Sequence, residues 1–158
     1  MAAKVGVISD THGLLRPQVL KTLRTCDCIL HGGDIDKPEV LNVLQAIAPL
    51  YVVRGNNDKA WAEEIPHDLS FSIEGVRFCM VHDLKEAPED LDGVDVIVYG
   101  HSHRYAQRQM DGRLWLNPGS CGRPRFGGEV SMALIRIDQG DYAVEKVVLS
   151  RVIYCAGK

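Results

Sequence analysis

Five short apolar runs in this chain each lead into a side chain that can bind a metal ion. The runs cover 5–9, 28–31, 51–54, 78–81 and 96–99, and they end at Asp10-Thr11-His12, Gly33-Asp34, Gly55-Asn56-Asn57-Asp58, His82 and Gly100-His101-Ser102-His103. Runs of this length that are rich in Val and Ile favour buried β-strands. In open α/β sheets, ligands bind beyond the carboxyl ends of the strands, where several loops converge. We therefore expect the five strand ends to form one site.

The spacing within two of these segments supports a shared site. Asp10 and His12 are two residues apart, as are His101 and His103, and in extended backbone such a pair points to the same side. Each pair could then reach one ion or two adjacent ions. Each segment alone has an ordinary alternative: Asp10 could cap the following helix, Gly-Asp and Gly-Asn-Asn-Asp suit turns, and His82 could be a hydrogen-bonded core histidine. Seven residues of ligand type at five strand ends are hard to obtain from packing alone.

The pattern along the chain predicts an α/β fold with mixed sheets. Strands at 4–9, 28–31 and 50–53 alternate with helices at 14–25 and 38–48, and this βαβαβ order favours parallel strands. In the second half, pairs of apolar runs flank Glu74-Gly75, Asp111-Gly112 and the segment 138–141. These predict three hairpins, because Gly and Asp tolerate the positive φ of a type I′ turn. The segment 86–92 allows at most a short helix, and 94–99 predicts another strand.

Length and composition exclude several classes of protein. A chain of 158 residues with 46% hydrophobic and 25% charged residues predicts one globular domain, residues 1–158. The longest apolar run, Val152 to Ala156, is far shorter than the roughly 18 residues of a membrane span, and the N-terminus lacks a signal-peptide pattern. A net charge of −3 argues against binding long nucleic acid through bulk charge. Five cysteines without disulfide or zinc-knuckle spacing predict packing residues in a cytoplasmic protein.

As an ordered set, the five segments resemble the D-x-H, G-D, G-N-x-D, strand-end H and G-H-x-H motifs of calcineurin-like metallophosphoesterases. Asn117-Pro118-Gly119-Ser120 followed by Arg123-Pro124-Arg125 is similar, more narrowly, to the small YfcE-type phosphodiesterases. The resemblance extends from about residue 4 to about residue 137. It implies a four-layer αββα sandwich, which the hairpin pattern permits but does not show.

The resemblance also implies a role for each matching residue. Asp10, His12 and His103 would bind one metal ion, Asn56, His82 and His101 a second, and Asp34 would bridge the two. A carboxylate suits the bridge because it has two oxygens and its charge offsets two dications. A hydroxide held by Asp34 and both ions would attack phosphorus in line, since metal binding lowers the pKa of water from about 15.7 to about 7. Imidazole, carboxylate and amide ligands suit Mn, Fe, Co, Ni or Zn, and the resemblance favours Mn.

Two positions depart from the wider family pattern. Many relatives have a histidine where Asn57 stands, and that histidine stabilises the transition state or protonates the leaving oxygen. Asn57 cannot act as an acid, a contribution of about 10² to 10⁴-fold, so we expect phosphodiester hydrolysis, with phosphomonoesterase activity as the alternative. Asp83 follows His82 where a glycine is common. We expect a loop residue there, with an effect on the second metal or on substrate as the alternative.

Residues outside the motifs have weaker assignments. Arg123 and Arg125 are candidates to bind a substrate phosphate through bidentate contacts. The segment 117–120 is expected to form a turn that braces the metal-binding loops. His31 is expected to support the site or to pack, and His67 to lie on the surface.

A different class of function is a protein-interaction scaffold. The retromer subunit of the same fold acts as an interaction platform with impaired metal chemistry, whereas all seven ligand positions here have competent residue types. A metal-dependent nuclease or cyclic-nucleotide phosphodiesterase would differ only in substrate. We expect a small phosphodiester substrate, no membrane and no long nucleic acid as partner. The apolar tail 152–156 allows either a homo-oligomer or closure of the sheet.

Overall fold

Strands dominate the computed structural model, which describes residues 2–123 and 128–150. In chain order the elements are β1 (Ala2–Ile8), α1 (Pro17–Leu23), β2 (Cys28–His31), α2 (Pro38–Ile47), β3 (Leu50–Val52), β4 (Asp68–Ile73), β5 (Val76–Val81), β6 (Val96–Val98), β7 (Tyr105–Met110), β8 (Arg113–Pro118), β9 (Val130–Asp138) and β10 (Asp141–Leu149). Single 3-10 turns lie at Ala60–Ala62 and Leu84–Glu86. Arg125, Cys155 and the tail 152–156 lie outside the described residues.

The strands form two five-stranded sheets, ordered β10-β9-β1-β2-β3 and β4-β5-β6-β8-β7. In the first sheet β1, β2 and β3 are parallel, while β9 and β10 are antiparallel additions at one side. In the second sheet β5, β6 and β8 are parallel, and β4 and β7 pair antiparallel at the two edges. The predicted βαβαβ order is confirmed. Parallel strands bring their carboxyl ends to one edge of each sheet, which is where the motif segments begin.

All three predicted hairpins are present. Their turns are Glu74-Gly75, Asp111-Gly112 and Gln139-Gly140, and both residues of each turn have positive φ, between 46° and 86°. Two consecutive positive φ values define a type I′ turn, whose twist matches that of the flanking strands.

The main apolar core lies between the two sheets. Val7 and Leu30 of the first sheet and Phe78, Met80 and Leu116 of the second are completely or almost completely buried in one cluster. Alternate residues of each strand face this cluster, as the two-residue period of a strand requires. The two sheets therefore pack face to face.

Helices α1 and α2 cover the outer face of the first sheet. Val19, Leu23 and Leu44 are buried there against Ile8 and Ile29. Of the residues that the structure describes, the 3-10 turn Leu84–Glu86 and the loop that follows it lie on the outer face of the second sheet. The fold is thus the expected α/β sandwich of αββα type, with a short fourth layer. Among the described residues, none of the helices is long and apolar enough to cross a membrane.

Helix α1 is shorter than the segment 14–25 predicted for it. It begins at Pro17, and its N-cap residue Arg16 makes no side-chain capping hydrogen bond. The preceding residues are held away from the helix because His12 N–H and Gly13 N–H donate to the carbonyls of Asp34 and Ile35. Pro17 then starts the helix, since a proline lacks only an N–H that the first turn does not use. The alternative in which Asp10 caps this helix is therefore wrong.

Candidate metal centre

The loops that follow β1, β2, β3, β5 and β6 meet at one edge of the sandwich. Their contact is close enough to require glycine at two positions. Gly33 has φ of 101°, and a Cβ there would lie 2.7 Å from His82 Nδ1. A Cβ at Gly55 would collide with the carboxylate and backbone nitrogen of Asp34. These glycines let three loops approach at distances that no other residue allows.

A first group of ligand atoms comes from Asp10, His12 and His103. His103 Nε2 lies 3.3 Å from Asp10 Oδ1, and His12 Nε2 lies 3.9 Å from the same oxygen. The two Nε2 atoms are 3.1 Å apart. The three atoms lie within 4.8 Å of one another, and Asp10 is fully buried. One carboxylate oxygen and two imidazole nitrogens therefore converge on a common point.

A second group comes from Asp34, His82 and His101, whose ligand atoms also lie within 4.8 Å of one another. His82 Nε2 is 3.3 Å from Asp34 Oδ2. The side-chain oxygen of Asn56 lies 3.2 Å from His101 Nδ1, which adds an amide oxygen to this group.

Asp34 joins the two groups. Its Oδ2 atom is 3.7 Å from His12 Nε2 in the first group and 3.3 Å from His82 Nε2 in the second. Asp10 Oδ1 also lies 3.9 Å from His82 Nε2. The structure thus brings together all seven side chains that the sequence singled out, with Asp34 Oδ2 between the two groups.

The backbone of the ligand loops differs from the extended geometry assumed in the spacing argument. Asp10, His12, Asp34, His101 and His103 have positive φ, between 47° and 77°. Positive φ is uncommon outside glycine and clusters at functional sites. As a result Asp10 and His12 share a group by loop curvature, whereas His101 and His103 fall into different groups. The expectation that extended backbone aligns each pair is wrong.

The electrostatics of the site favour bound cations. Burial raises the pKa of the Asp10 and Asp34 carboxyls, but hydrogen bonds and charges of the surrounding histidines outweigh it, and both pKa values are lowered. Burial disfavours the charged form of His82, yet Asp34 and Asp10 raise its pKa to about 9. The site therefore concentrates carboxylate charge that attracts protons to the imidazoles.

The donor atoms fit divalent metal ions. Among the described residues, Asp10 Oδ1 and His82 Nε2 are buried and neither makes a hydrogen bond of good geometry, although each lies 3.3 Å from another ligand atom of the site. Buried polar atoms are nearly always satisfied, so two such atoms that point into one cluster indicate positions for a ligand. Carboxylate, imidazole and amide donors are the set that binds Mn, Fe, Co, Ni or Zn.

Comparison with known proteins assigns the chain to a family. The model of the calcineurin-like phosphoesterase superfamily domain matches residues 3–140. The chain belongs to the calcineurin-like phosphoesterase superfamily. The matched range contains all five motif segments, and the resemblance drawn from those segments is confirmed.

Relatives of this phosphoesterase include enzymes of archaea. A probable metallophosphoesterase of Methanothermobacter thermautotrophicus is 33% identical over 148 residues, which cover 85% of this chain and 86% of that protein. A phosphodiesterase of Methanocaldococcus jannaschii is 27% identical over 75% of this chain and 84% of its own length.

Solved structures agree on the fold. A structure described as a novel archaeal phosphodiesterase has a TM-score of 0.78 at 23% identity and covers 92% of this chain and 99% of its own. Vps29 of Entamoeba histolytica, in complex with Zn2+, has a TM-score of 0.72 at 23% identity and covers 92% and 98%. At this identity the likeness concerns the fold alone.

Asp58 of this phosphoesterase holds two ligand loops together, although the motif reading gave it no role. Its carboxylate is buried and accepts hydrogen bonds from the backbone N–H groups of Asp34, Ile35, Asp36 and Gly55, at 2.8 to 3.2 Å. The bridging carboxylate and the Asn56 loop are thereby fixed relative to each other. In the sequence, the feature that could have indicated this role is the position of Asp58 in the Gly-Asn-Asn-Asp segment.

Asp36 and two backbone groups orient the candidate ligands. Asp36 Oδ2 lies 3.0 Å from His12 Nδ1, and Gly32 O accepts from His82 Nδ1 at 2.7 Å. Each contact turns the Nε2 atom of the ring toward the cluster, as partners of metal-binding histidines commonly do. Asn57 N–H donates to Asp34 Oδ1 at 2.9 Å. Asp36 belongs to none of the five sequence motifs.

His31 connects the first two loops. It is fully buried, its Nδ1 accepts from Gly33 N–H at 3.0 Å, and its Nε2 lies 3.0 Å from Thr11 Oγ1. Burial lowers its pKa to about 4, so the ring is neutral and Nε2 carries the proton that it donates to Thr11. The expectation that His31 supports the site is confirmed, and His67 is exposed as predicted.

The residues at the end of β8 and just after it brace the loops, as expected. Asn117 Nδ2 donates to Gly100 O at 3.1 Å, and Ser120 Oγ donates to Asp10 O at 2.9 Å. Arg123 is exposed, with its carbonyl accepting from Ser120. Contact of Arg123 and Arg125 with substrate stays a prediction, and Arg125 lies outside the described residues.

Proposed function

We propose that this chain is a two-metal phosphodiesterase in which Asp10, His12 and His103 bind one divalent ion and Asn56, His82 and His101 bind the other. The observation that carries the proposal is the position of Asp34 Oδ2, 3.7 Å from His12 Nε2 and 3.3 Å from His82 Nε2, one nitrogen of each group. A carboxylate in that position suits a bridge between two ions. Mn2+ is the proposed metal, with Fe, Co, Ni or Zn as alternatives.

Two divalent ions, when bound, acidify a water molecule to a nucleophile at neutral pH and neutralise charge that develops on the phosphate. The side chains of the protein fix the geometry for this chemistry. Asp34 is held through its backbone N–H by Asp58 and through its Oδ1 by the Asn57 N–H. His12 and His82 are each oriented through Nδ1. Rigid ligands lower the reorganisation needed during reaction.

The preference for diesters follows from Asn57. Its side-chain amide can donate a hydrogen bond to a phosphate oxygen but cannot transfer a proton to a leaving group. Substrates whose leaving oxygen is stable as an anion, such as aryl diesters, are therefore expected to react faster than alkyl monoesters, since general acids contribute about 10² to 10⁴-fold. A small phosphodiester is the proposed substrate.

Metal analysis and a diesterase assay test the proposal together. Protein loaded with Mn2+ should contain two ions per chain and hydrolyse bis(p-nitrophenyl) phosphate faster than p-nitrophenyl phosphate. Asp34→Ala should reduce turnover by at least about 100-fold and lower the metal content. Asp27→Asn, an exposed carboxylate that accepts one hydrogen bond from Lys4 N, serves as the control. Unchanged turnover in Asp34→Ala would refute the proposed bridging role of Asp34.

The competing function is an interaction scaffold of the same fold, which the likeness to Vps29 keeps open. The scaffold hypothesis expects metal binding without turnover of any phosphate ester. Measured diesterase activity that depends on Asp34 excludes it as the sole function. Stoichiometric metal binding with no activity on a panel of diesters would favour it.

A further inference from the structure

Asp83 is held with one carboxylate oxygen facing the outer side of the candidate metal centre. It is the N-cap residue of the 3-10 turn Leu84–Glu86, and its Oδ1 accepts from Lys85 N–H at 3.1 Å. Its Oδ2 lies 3.8 Å from His101 Nε2. The capping hydrogen bond fixes the carboxylate, so the orientation toward His101 is set by the backbone.

Asp83 lies on the solvent side of the His101 ring. The other ring nitrogen of His101, Nδ1, faces Asn56 Oδ1 within the second ligand group. The side chains of His101 and Asp83 are 44% and 27% exposed, in contrast to the buried Asp34. Asp83 belongs to neither ligand group and adds negative charge at the solvent-exposed edge of the site, the side that is open to a substrate.

The charge of Asp83 is not neutralised by a basic side chain in the part of the chain that the structure describes. The ion pairs found there give Asp83 no lysine or arginine partner, and the ionisable side chain that it faces is His101. The ligand carboxylates of Asp10 and Asp34 already offset half the charge of two dications. A further carboxylate at the entrance reduces the remaining attraction for anions, and the reduction is larger for an anion with two charges.

We propose that Asp83 is a specificity-determining residue that favours phosphodiesters, with one negative charge, over phosphomonoesters, with about two. This inference rests on the proposed phosphodiesterase function and defines the substrate class by the net charge of the phosphate ester. Asn57 disfavours esters with poor leaving groups, whereas Asp83 disfavours monoesters through electrostatic repulsion. The two effects are separable because only the second depends on the charge of the ester and on salt.

Two substrates with the same leaving group isolate the charge. At about pH 8, p-nitrophenyl phosphate carries about two charges, and p-nitrophenyl methylphosphonate is nearly the same size and carries one. Asp83→Asn should raise kcat/KM for the phosphate relative to the phosphonate by roughly three- to tenfold, as expected for one partly screened unit charge. The gain should shrink between about 0.05 M and about 0.5 M salt. Asparagine retains an oxygen for the Lys85 N–H, so the turn is preserved.

Glu86→Gln provides the matched control, because Glu86 is an exposed acid of the same turn. It should leave the ratio of the two kcat/KM values near that of the wild type. A wild-type ratio of the two kcat/KM values in Asp83→Asn would overturn the inference. If both kcat/KM values changed by the same factor, Asp83 would act only by positioning His101. If the wild type with Mn2+ hydrolyses neither substrate and no diester, the proposed function itself fails.

Discussion

Asp58→Asn is the substitution that best tests how the candidate metal centre is held. The carboxylate of Asp58 lies between two loops and accepts four backbone N–H groups. Asparagine has nearly the same shape but keeps only one acceptor oxygen and replaces the other with an N–H donor. The change therefore removes hydrogen-bond acceptance while leaving the packing of the side chain almost intact.

The expected cost follows from the individual contacts of Asp58. If the asparagine oxygen replaces Oδ2, the Asp36 N–H loses its acceptor, and if it replaces Oδ1, the N–H groups of Asp34 and Gly55 lose theirs. A buried donor without a partner costs about 1 to 3 kcal/mol, and the remaining bonds lose the added strength of an ionised acceptor. We expect the free energy of unfolding to fall by about 3 to 5 kcal/mol, which lowers Tm by roughly 10 °C in a chain of this size.

Urea denaturation of the protein in EDTA measures this loss without a contribution from bound metal, and calorimetry then measures the affinity for Mn2+. Both quantities should fall in Asp58→Asn, because the loops that carry Asp34 and Asn56 are no longer tied together. Asp27→Asn, which affects one exposed hydrogen bond, should change neither appreciably. Wild-type stability together with wild-type metal affinity in Asp58→Asn would refute the role assigned to this carboxylate.

Four further predictions concern the same loops. Mn2+ affinity should rise with pH up to about 9, because His82, whose pKa is raised to about 9, must lose a proton before Nε2 binds metal, and calorimetry in buffers of different ionisation enthalpy counts the released protons. In EDTA, the charged form of His82 stabilises the fold fully below its unfolded pKa of about 6.5, and this contribution is lost as the pH rises through about 9. The free energy of unfolding of His82→Gln, measured by urea denaturation, should not show this decrease with pH. His31→Leu should lower the free energy of unfolding by about 2 to 4 kcal/mol. His31→Asn retains an acceptor for the Gly33 N–H, so its free energy of unfolding should fall by less. Equal decreases in the two variants would contradict the assigned hydrogen bond. Gly55→Ala should weaken Mn2+ binding measured by calorimetry, since its Cβ would collide with Asp34.

The parts of the fold with local signals were predictable from the sequence. Glu74-Gly75 and Asp111-Gly112 specify their hairpins because a type I′ turn needs residues that accept positive φ. The parallel strands followed from apolar runs alternating with helical periodicity. The start of α1 was not predictable from periodicity. The Gly13 N–H donates to Ile35 O, 22 residues away in the sequence, and this contact keeps the preceding segment out of the helix.

The candidate site was predictable in its members but not in its geometry. The family resemblance assigned His101 and His103 to different ions, and they do lie in different groups, but the spacing argument assumed extended backbone, whereas both residues have positive φ. Asp36 was missed because its contact with His12 spans 24 positions and belongs to no local pattern. Ligand-type residues are visible in a sequence, whereas the residues that orient them become visible only when the loops are placed together.

In the ligand loops, backbone hydrogen bonds compensate the energetic cost of the left-handed backbone conformation. Positive φ costs on the order of 1 kcal/mol or more per residue and persists only where surrounding contacts compensate. Five residues with positive φ each donate their backbone N–H to a specific acceptor: Asp10, His12, Asp34, Asp36 and His101. In three of the five the acceptor is a carboxylate, either Asp58 or Asp10 Oδ2. The turns that aim the ligands are thus stabilised by hydrogen bonds between protein groups, which offset the cost of the left-handed backbone.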